Sequence, residues 1–590
     1  MSTDSPPPAA AHEPGVLLEQ DRRLSESVLW TMMRTYYDAS GPSAWHSGDV
    51  PSYATCNTFI AQSYAHVIVA YLRDALAAGA IDAAAPIYVV ELAAGVGRFA
   101  FQLLNKLHEL LQTSSIKHLD VRYVMTDFTP TNIRVWSQHP HLVPFVKAGL
   151  LDFGTFDAMK SDHIALVSGG TLSTKTVVNP MVVLGNYAFD TFPNDLFRIA
   201  GGKLHEVLLT TRAPGDRAPD PHDTSIVSEL RVQYTPRVIG DAYYDDPALD
   251  QVLAGYRERL AETTIGIPIG GLIALRRLIA IARGKLLLLS SDKGFTHEDE
   301  LYHPEQHAMQ FHNGAFSMMV NFHAIGQYFA VQGGLYAATS RRFMNLKTVG
   351  CILGGDAAQY ADTLSMFRER IDNFGPGEFF DFFQQVRQDR KQITVEHFLG
   401  LLRLSHWDPG VLWDYAAMLR GAVATLAEGL QLELRLALER TWKNYYPGPQ
   451  NLPFELARIF MAMRRPLEAI RFNQVAIDWF GETPATLLNM GICEYYAEHP
   501  ELALACFARA TELNPDFGLA REWTARVQAE RARGATGGPI LPMPATASGP
   551  IAVGPAAPAS PSAPAAAKQA VLATAAPAPA SSSDGSARPS

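Results

Sequence analysis

The run Ile87-Tyr-Val-Val-Glu-Leu-Ala-Ala-Gly-Val-Gly-Arg98 constrains this chain more than any other stretch of it. It begins as a short, continuously apolar strand, the pattern of a strand covered on both faces of a parallel sheet. The strand ends in an acid, Glu91. It then enters small residues, among which Gly95 and Gly97 let the backbone approach a ligand closely. Phe99, Leu103, Leu104 and Leu107 recur at helical spacing, so a helix starts near Arg98 and offers its free N–H groups at the turn. A strand, a glycine turn and a helix in that order can hold a nucleotide in a doubly wound sheet.

Similar short strands follow at Val121-Arg-Tyr-Val-Met-Thr126, Met181-Val-Val-Leu184 and Lys285-Leu-Leu-Leu-Leu289, with helical patterns between them. This alternation predicts an α/β Rossmann-like domain over residues 17–355. Beyond it the strand signals stop. Residues 356–450 read as helical. Within 451–534 Ala469 recurs as Ala503 and Ala476 as Ala510, a period of about 34 residues that points to tetratricopeptide-like repeats. Residues 1–16 and 535–590 are rich in Pro, Ala and Ser, too poor in large apolar side chains to fold, and are expected to be disordered.

A net charge of -10 argues against a nucleic-acid-binding protein, whose footprint is usually a basic face. Cys56, Cys351, Cys493 and Cys506 are scattered, without metal-ligand spacing or a disulfide framework. The amino terminus lacks a basic stretch followed by an apolar core. The longest apolar segment, Ile265 to Ile281, is interrupted by Gly266, Pro268 and the pair Arg276-Arg277, so no membrane span is expected. The location expected is cytoplasmic. His297, His303, His307 and His312 lie close together, but Pro304 breaks the helix that would align two of them, and no metal site is expected.

Candidate ligand residues sit where strands end. Glu91 precedes the turn containing Gly95 and Gly97. Asp127 follows the second strand, where a carboxylate can accept both hydroxyls of a ribose. Asp152 is expected at the end of a third strand, near an adenine. Asn186 and Asp190 lie just past the fourth strand, in Asn186-Tyr-Ala-Phe-Asp190-Thr-Phe-Pro193, placed to position an acceptor and to orient or deprotonate it. The competing reading makes each acid a turn or helix cap.

Glu91-Leu-Ala-Ala-Gly95-Val-Gly97 resembles the first motif of class I methyltransferases, with Ala93 standing where the pattern has its first glycine. Together with Asn186-Tyr187-x-x-Asp190-Thr191-Phe192-Pro193, Asp127-Phe-Thr-Pro130, Ser52 to Val67, Gly294 and Phe316 to Phe322, it resembles the MidA-like family of S-adenosylmethionine-dependent methyltransferases. The likeness runs from about Val28 to Gly355. It implies S-adenosylmethionine as cofactor, bound by Glu91, Gly95, Gly97, Asp127 and Asp152, with Asn186 and Asp190 as catalytic residues. The family includes protein arginine methyltransferases, but its Glu after the fourth-strand Asn is Tyr187 here, which removes a fork-like partner for a guanidinium.

Two functions are therefore expected. The first is a methyltransferase whose repeats help recruit a protein substrate. The alternative is a non-catalytic scaffold built on a degenerate methyltransferase fold, which Ala93 and Tyr187 favour.

Overall fold

The computed structural model describes residues 15–40, 53–215, 220, 223–302, 309–312, 314–388 and 393–532. Residues 1–14 and 533–590, which include most of the amino-terminal segment and all of the Pro/Ala/Ser-rich tail, lie outside the described residues, as do His303 and His307.

A nine-stranded sheet organises the amino-terminal region. Its five central strands run parallel, in the spatial order Leu286–Asp292, Met181–Leu184, Ile87–Glu91, Val121–Asp127 and Leu151–Thr155. Antiparallel strands extend both edges: Lys347–Leu353 and Leu335–Ala338 on one side, Ile164–Leu166 and Thr171–Leu172 on the other. The order reverses beside Ile87–Glu91. Successive strands first step away through Val121–Asp127 and Leu151–Thr155, and the chain then returns to the opposite flank at Met181–Leu184. Such a switch point leaves a crevice at the carboxyl ends of the strands.

Alternation along each strand feeds two cores. Val90, Val124, Val183 and Leu288 face the helices Pro247–Arg259, Ile269–Ile281 and Phe322–Val331. Val89, Tyr123, Val182 and Leu289 face the helices Thr58–Ala77 and Arg98–Gln112. Both faces of the strands are covered, which is why they read as unbroken apolar runs.

A second, five-stranded antiparallel sheet was not anticipated from the sequence. Its long strand Lys203–Ala213 pairs with Val16–Arg23, Asp195–Ala200 and Arg231–Val238, and Thr263–Ile267 pairs with Asp195–Ala200. Gly294 opens a short strand beside Val320–Asn321, and a Cβ there would collide with the Val320 carbonyl.

Past Leu353 all described regular structure is helical. The helices Leu452–Ala462, Pro466–Phe480, Pro484–Tyr496, Pro500–Leu513 and Gly518–Ala532 pack each on the next. Ala469, Ala476, Ala503 and Ala510 are all fully buried. The turns repeat as well: Arg464 and Glu498 both take left-handed backbone two residues before Pro466 and Pro500. Among the described residues no helix is long and apolar enough to cross a membrane.

The helical region is joined to the α/β region through polar and apolar contacts. Phe59, on the helix Thr58–Ala77, belongs to the helical core and stacks on Phe379 at 4.6 Å. Thr363 N–H and hydroxyl donate to Asp74 at 2.8 and 2.7 Å.

Candidate functional site

The turn after Ile87–Glu91 is held from several sides. Thr126 hydroxyl donates to the Glu91 carbonyl at 2.7 Å, and Trp136 Nε1 donates to the Gly95 carbonyl at 2.9 Å. From the helical region, Tyr446 hydroxyl donates to the Val96 carbonyl at 2.8 Å. Ala93, Gly95 and Gly97 all have positive φ, at 50°, 55° and 84°. Ala93 thus stands in a conformation that favours glycine, and its backbone is strained by about 1 kcal/mol or more. Gly97 is the amino-terminal cap of the helix Arg98–Gln112, and a Cβ on it would lie 2.9 Å from Met125 Cε and 3.1 Å from the Tyr446 hydroxyl.

A cleft opens above this turn, enclosing about 140 Å³. Glu91, Gly95, Asp127, Asn186 and Asp190 all line it, joined by Lys293, Tyr37 and Arg98. Five residues expected from the sequence therefore meet in one place, at the carboxyl ends of three adjacent strands, and Lys293 joins them from a fourth.

Glu91 is buried. Tyr123 hydroxyl donates to its Oε2 at 2.9 Å, and burial pushes its carboxyl up to about 8. Asp127 is buried too, which raises its carboxyl. Its Oδ1 accepts the Thr129 N–H at 2.9 Å and its Oδ2 accepts Asn132 Nδ2 at 2.7 Å. The Asp127 side chain thus braces the turn into the helix Pro130–Gln138. The same carboxylate lines the cleft, and a carboxylate oxygen can accept more than one hydrogen bond.

Asn186 is a brace between elements. Its Oδ1 accepts the Tyr64 hydroxyl at 2.9 Å and the Ser291 N–H at 3.0 Å, and its Nδ2 donates to the Thr55 carbonyl at 3.2 Å. Asp190 differs. It sits in a single helical turn, Phe189–Thr191, and caps no helix; its Oδ1 is buried without a hydrogen-bond partner. Burial pushes the Asp190 carboxyl up to about 7, against the pull of the Lys293 charge. Fully buried Asp292 lies beside it, its Oδ2 accepting the Asp190 N–H at 3.2 Å. Burial first, and then the neighbouring Asp190 charge, raise Asp292 well above the usual carboxylate range. Tyr187, between Asn186 and Asp190, has φ 46°, a second strained non-glycine residue on the cleft wall.

Two expected residues stand outside the cleft. Gly97 lies just beneath it, as the helix cap. Asp152 falls at the second position of Leu151–Thr155, so the strand begins there where an end was expected. Its carboxylate is occupied by the Ser168 hydroxyl and by the Phe153 N–H at 2.8 Å. Lys293, Arg98 and Tyr37 were not singled out from the sequence. Lys293 was legible in principle, because it follows a strand end as Asp127 does.

Among the described residues no group of three or more His, Cys, Asp and Glu side chains is arranged to hold a metal. No family model matches the sequence, and no curated protein matches it. Two solved structures from Burkholderia thailandensis, of one superfamily, resemble it weakly. An uncharacterized protein shares 15% identity at TM-score 0.35, covering 57% of this chain and 90% of its own. A "likely methyl transferase" bound to S-adenosyl-homocysteine shares 14% identity at TM-score 0.32, covering 57% and 95%. At these values the likeness assigns no activity to this chain.

Proposed function

We propose that this chain is a class I S-adenosylmethionine-dependent methyltransferase. The observation that carries the reading is the meeting of Glu91, Gly95 and Asp127 with Asp190 in one cleft at the switch point of the sheet. The donor set suits the cofactor: Asp127 can accept ribose hydroxyls, and the small-residue turn admits close backbone approach. The enclosed space of about 140 Å³ is below the 300–1,000 Å³ common for ligand sites, so a side chain lining it, such as Tyr37, has to swing aside on binding.

S-adenosylmethionine supplies a methyl group on a sulfonium, already strongly electrophilic, so the protein has mainly to align the acceptor and receive its proton. Asp190 Oδ1, buried, unpartnered and poised near neutrality, is the atom suited to take that proton. Asn186 contributes by fixing the strand end on which Asp190 stands. The helical repeats, of tetratricopeptide-like type, supply a surface for a protein substrate.

A second reading, a non-catalytic scaffold, is favoured by the narrow cleft and by strained Ala93 and Tyr187 where the family has glycine and glutamate. Titration with S-adenosyl-homocysteine separates the two. A ligand bound only by the native state at 100 times its dissociation constant stabilises it by about 2.7 kcal/mol. A melting temperature that does not move with ligand sinks the enzyme reading.

A further inference from the structure

A second cavity, of about 320 Å³, lies between the α/β region and the helical region. It shares Cys56, Val96 and Arg98 with the cleft, so the glycine turn is a wall common to both. Its volume falls in the range of small-molecule sites. Tyr53, Phe383, Trp413 and Tyr445 give it flat apolar walls.

The polar groups around it are unevenly committed. Asp408 accepts hydrogen bonds from the Tyr53 hydroxyl, from Thr58 N–H and hydroxyl, and from Gly410 and Val411 N–H. Asp414 is ion-paired with Arg387 at 2.9 Å. Tyr445 hydroxyl donates to the Gln450 carbonyl at 2.9 Å, and Tyr446 hydroxyl to Val96. The carboxylates and phenols are thus engaged. Arg98 is the exception: its Nε is buried with no partner, and its Nη2 lies so close to Gly448 that a Cβ there would meet it at 2.6 Å. A buried guanidinium N–H without an acceptor is costly, and an anion would relieve it.

We infer that this second cavity is a binding site for a molecule with a planar apolar body and an anionic group, the anion seated on Arg98. The site stands independently of the methyl-transfer reading, since it requires only the cavity and the uncommitted guanidinium.

Equilibrium binding to the full chain of naphthalene-2-carboxylate, its neutral carboxamide and the cationic 2-naphthylmethylamine tests it. The carboxylate is expected to bind about ten-fold tighter than the amide, the amine weakest. Arg98→Gln should bring the carboxylate-to-amide ratio close to one, and Trp413→Ala should weaken both ligands alike. Equal binding of all three probes in the unaltered protein, or preference for the amine, overturns the proposal, and needs no variant to fold. The carboxylate is then titrated into protein saturated with S-adenosyl-homocysteine. Unchanged affinity supports a separate seat, and competition places the anion in the first cleft and overturns it. Failure of S-adenosyl-homocysteine to bind counts against the methyltransferase reading alone, because the probe series is measured without it.

Discussion

Asp408 Oδ2 accepts both the backbone N–H of Thr58, at 2.9 Å, and its hydroxyl, at 3.0 Å. The other oxygen of the same carboxylate caps its own helix, Pro409–Ala422, taking the N–H groups of Gly410 and Val411 at 2.7 and 3.2 Å. One fully buried acid therefore serves the starts of two helices, one in each region, and the partial positive charge of both helix ends compensates its own.

Asp408→Ala should cost roughly 3 kcal/mol, combining a lost cap with buried donors left unsatisfied. Asp408→Asn keeps one acceptor and should cost less. Urea denaturation of the full chain, followed by circular dichroism, gives both values, and a loss below about 0.5 kcal/mol for the alanine variant would show that water replaces the carboxylate.

Asp127→Ala should reduce the stabilisation given by S-adenosyl-homocysteine while leaving the unliganded chain folded. The loss of the Thr129 and Asn132 hydrogen bonds lowers the melting temperature slightly in both states, so the difference between liganded and free protein is the quantity to read. An undiminished ligand-induced shift would remove Asp127 from the ribose role.

Asp190→Asn should lower methyl transfer about 10²- to 10⁴-fold, the usual contribution of a general base. The base works deprotonated, so transfer by the unaltered protein should rise with pH through about 7 and level off above it. The asparagine variant should lack that rise. Incorporation of a labelled methyl group into lysate protein, measured across this window, is the check.

Glu91 makes a prediction about stability. Its folded-state carboxyl is pushed up to about 8, above the usual value near 4.5 that it regains on unfolding. Between those values the folded state holds one more proton than the unfolded state, so stability falls as pH rises from about 4.5 to about 8 and is flat beyond. Glu91→Gln should remove that slope. Melting temperatures of the two proteins at about pH 5 and pH 8 decide the matter: parallel changes in both would show that Glu91 does not titrate in this range.

Much of the central sheet was legible because burial on two faces leaves an unmistakable imprint. Ile87–Glu91 and Met181–Leu184 have the limits that their apolar runs suggest. The strand expected over 285–289 continues through Ser290, Ser291 and Asp292, whose polar side chains hide it from an apolar criterion. Asp152 was placed at a strand end because the limits of Leu151–Thr155 depend on neighbours and not on its own residues. The antiparallel sheet is harder to read because one strand, Val16–Arg23, joins from far along the chain and another, Arg231–Val238, is exposed over most of its length, although Gly201-Gly202 between Asp195–Ala200 and Lys203–Ala213 is a hairpin signal. Arg98 and Tyr446 acquire their roles only through tertiary contact. Tyr446 and Val96 are joined across 350 residues of sequence, and no local pattern can announce such a pair.

That hydrogen bond has a mechanical consequence. Its donor follows the helix Glu428–Lys443, whose Trp442 stacks on Trp479 in the next layer of helices at 5.7 Å. The carboxyl-terminal helices are thus linked, through these rings and the few residues from Trp442 to Tyr446, to the peptide backbone between Gly95 and Gly97. A chain shortened ahead of Tyr446 would lose a guy-line of the ligand turn together with its outer helices. Its behaviour would then report on both at once.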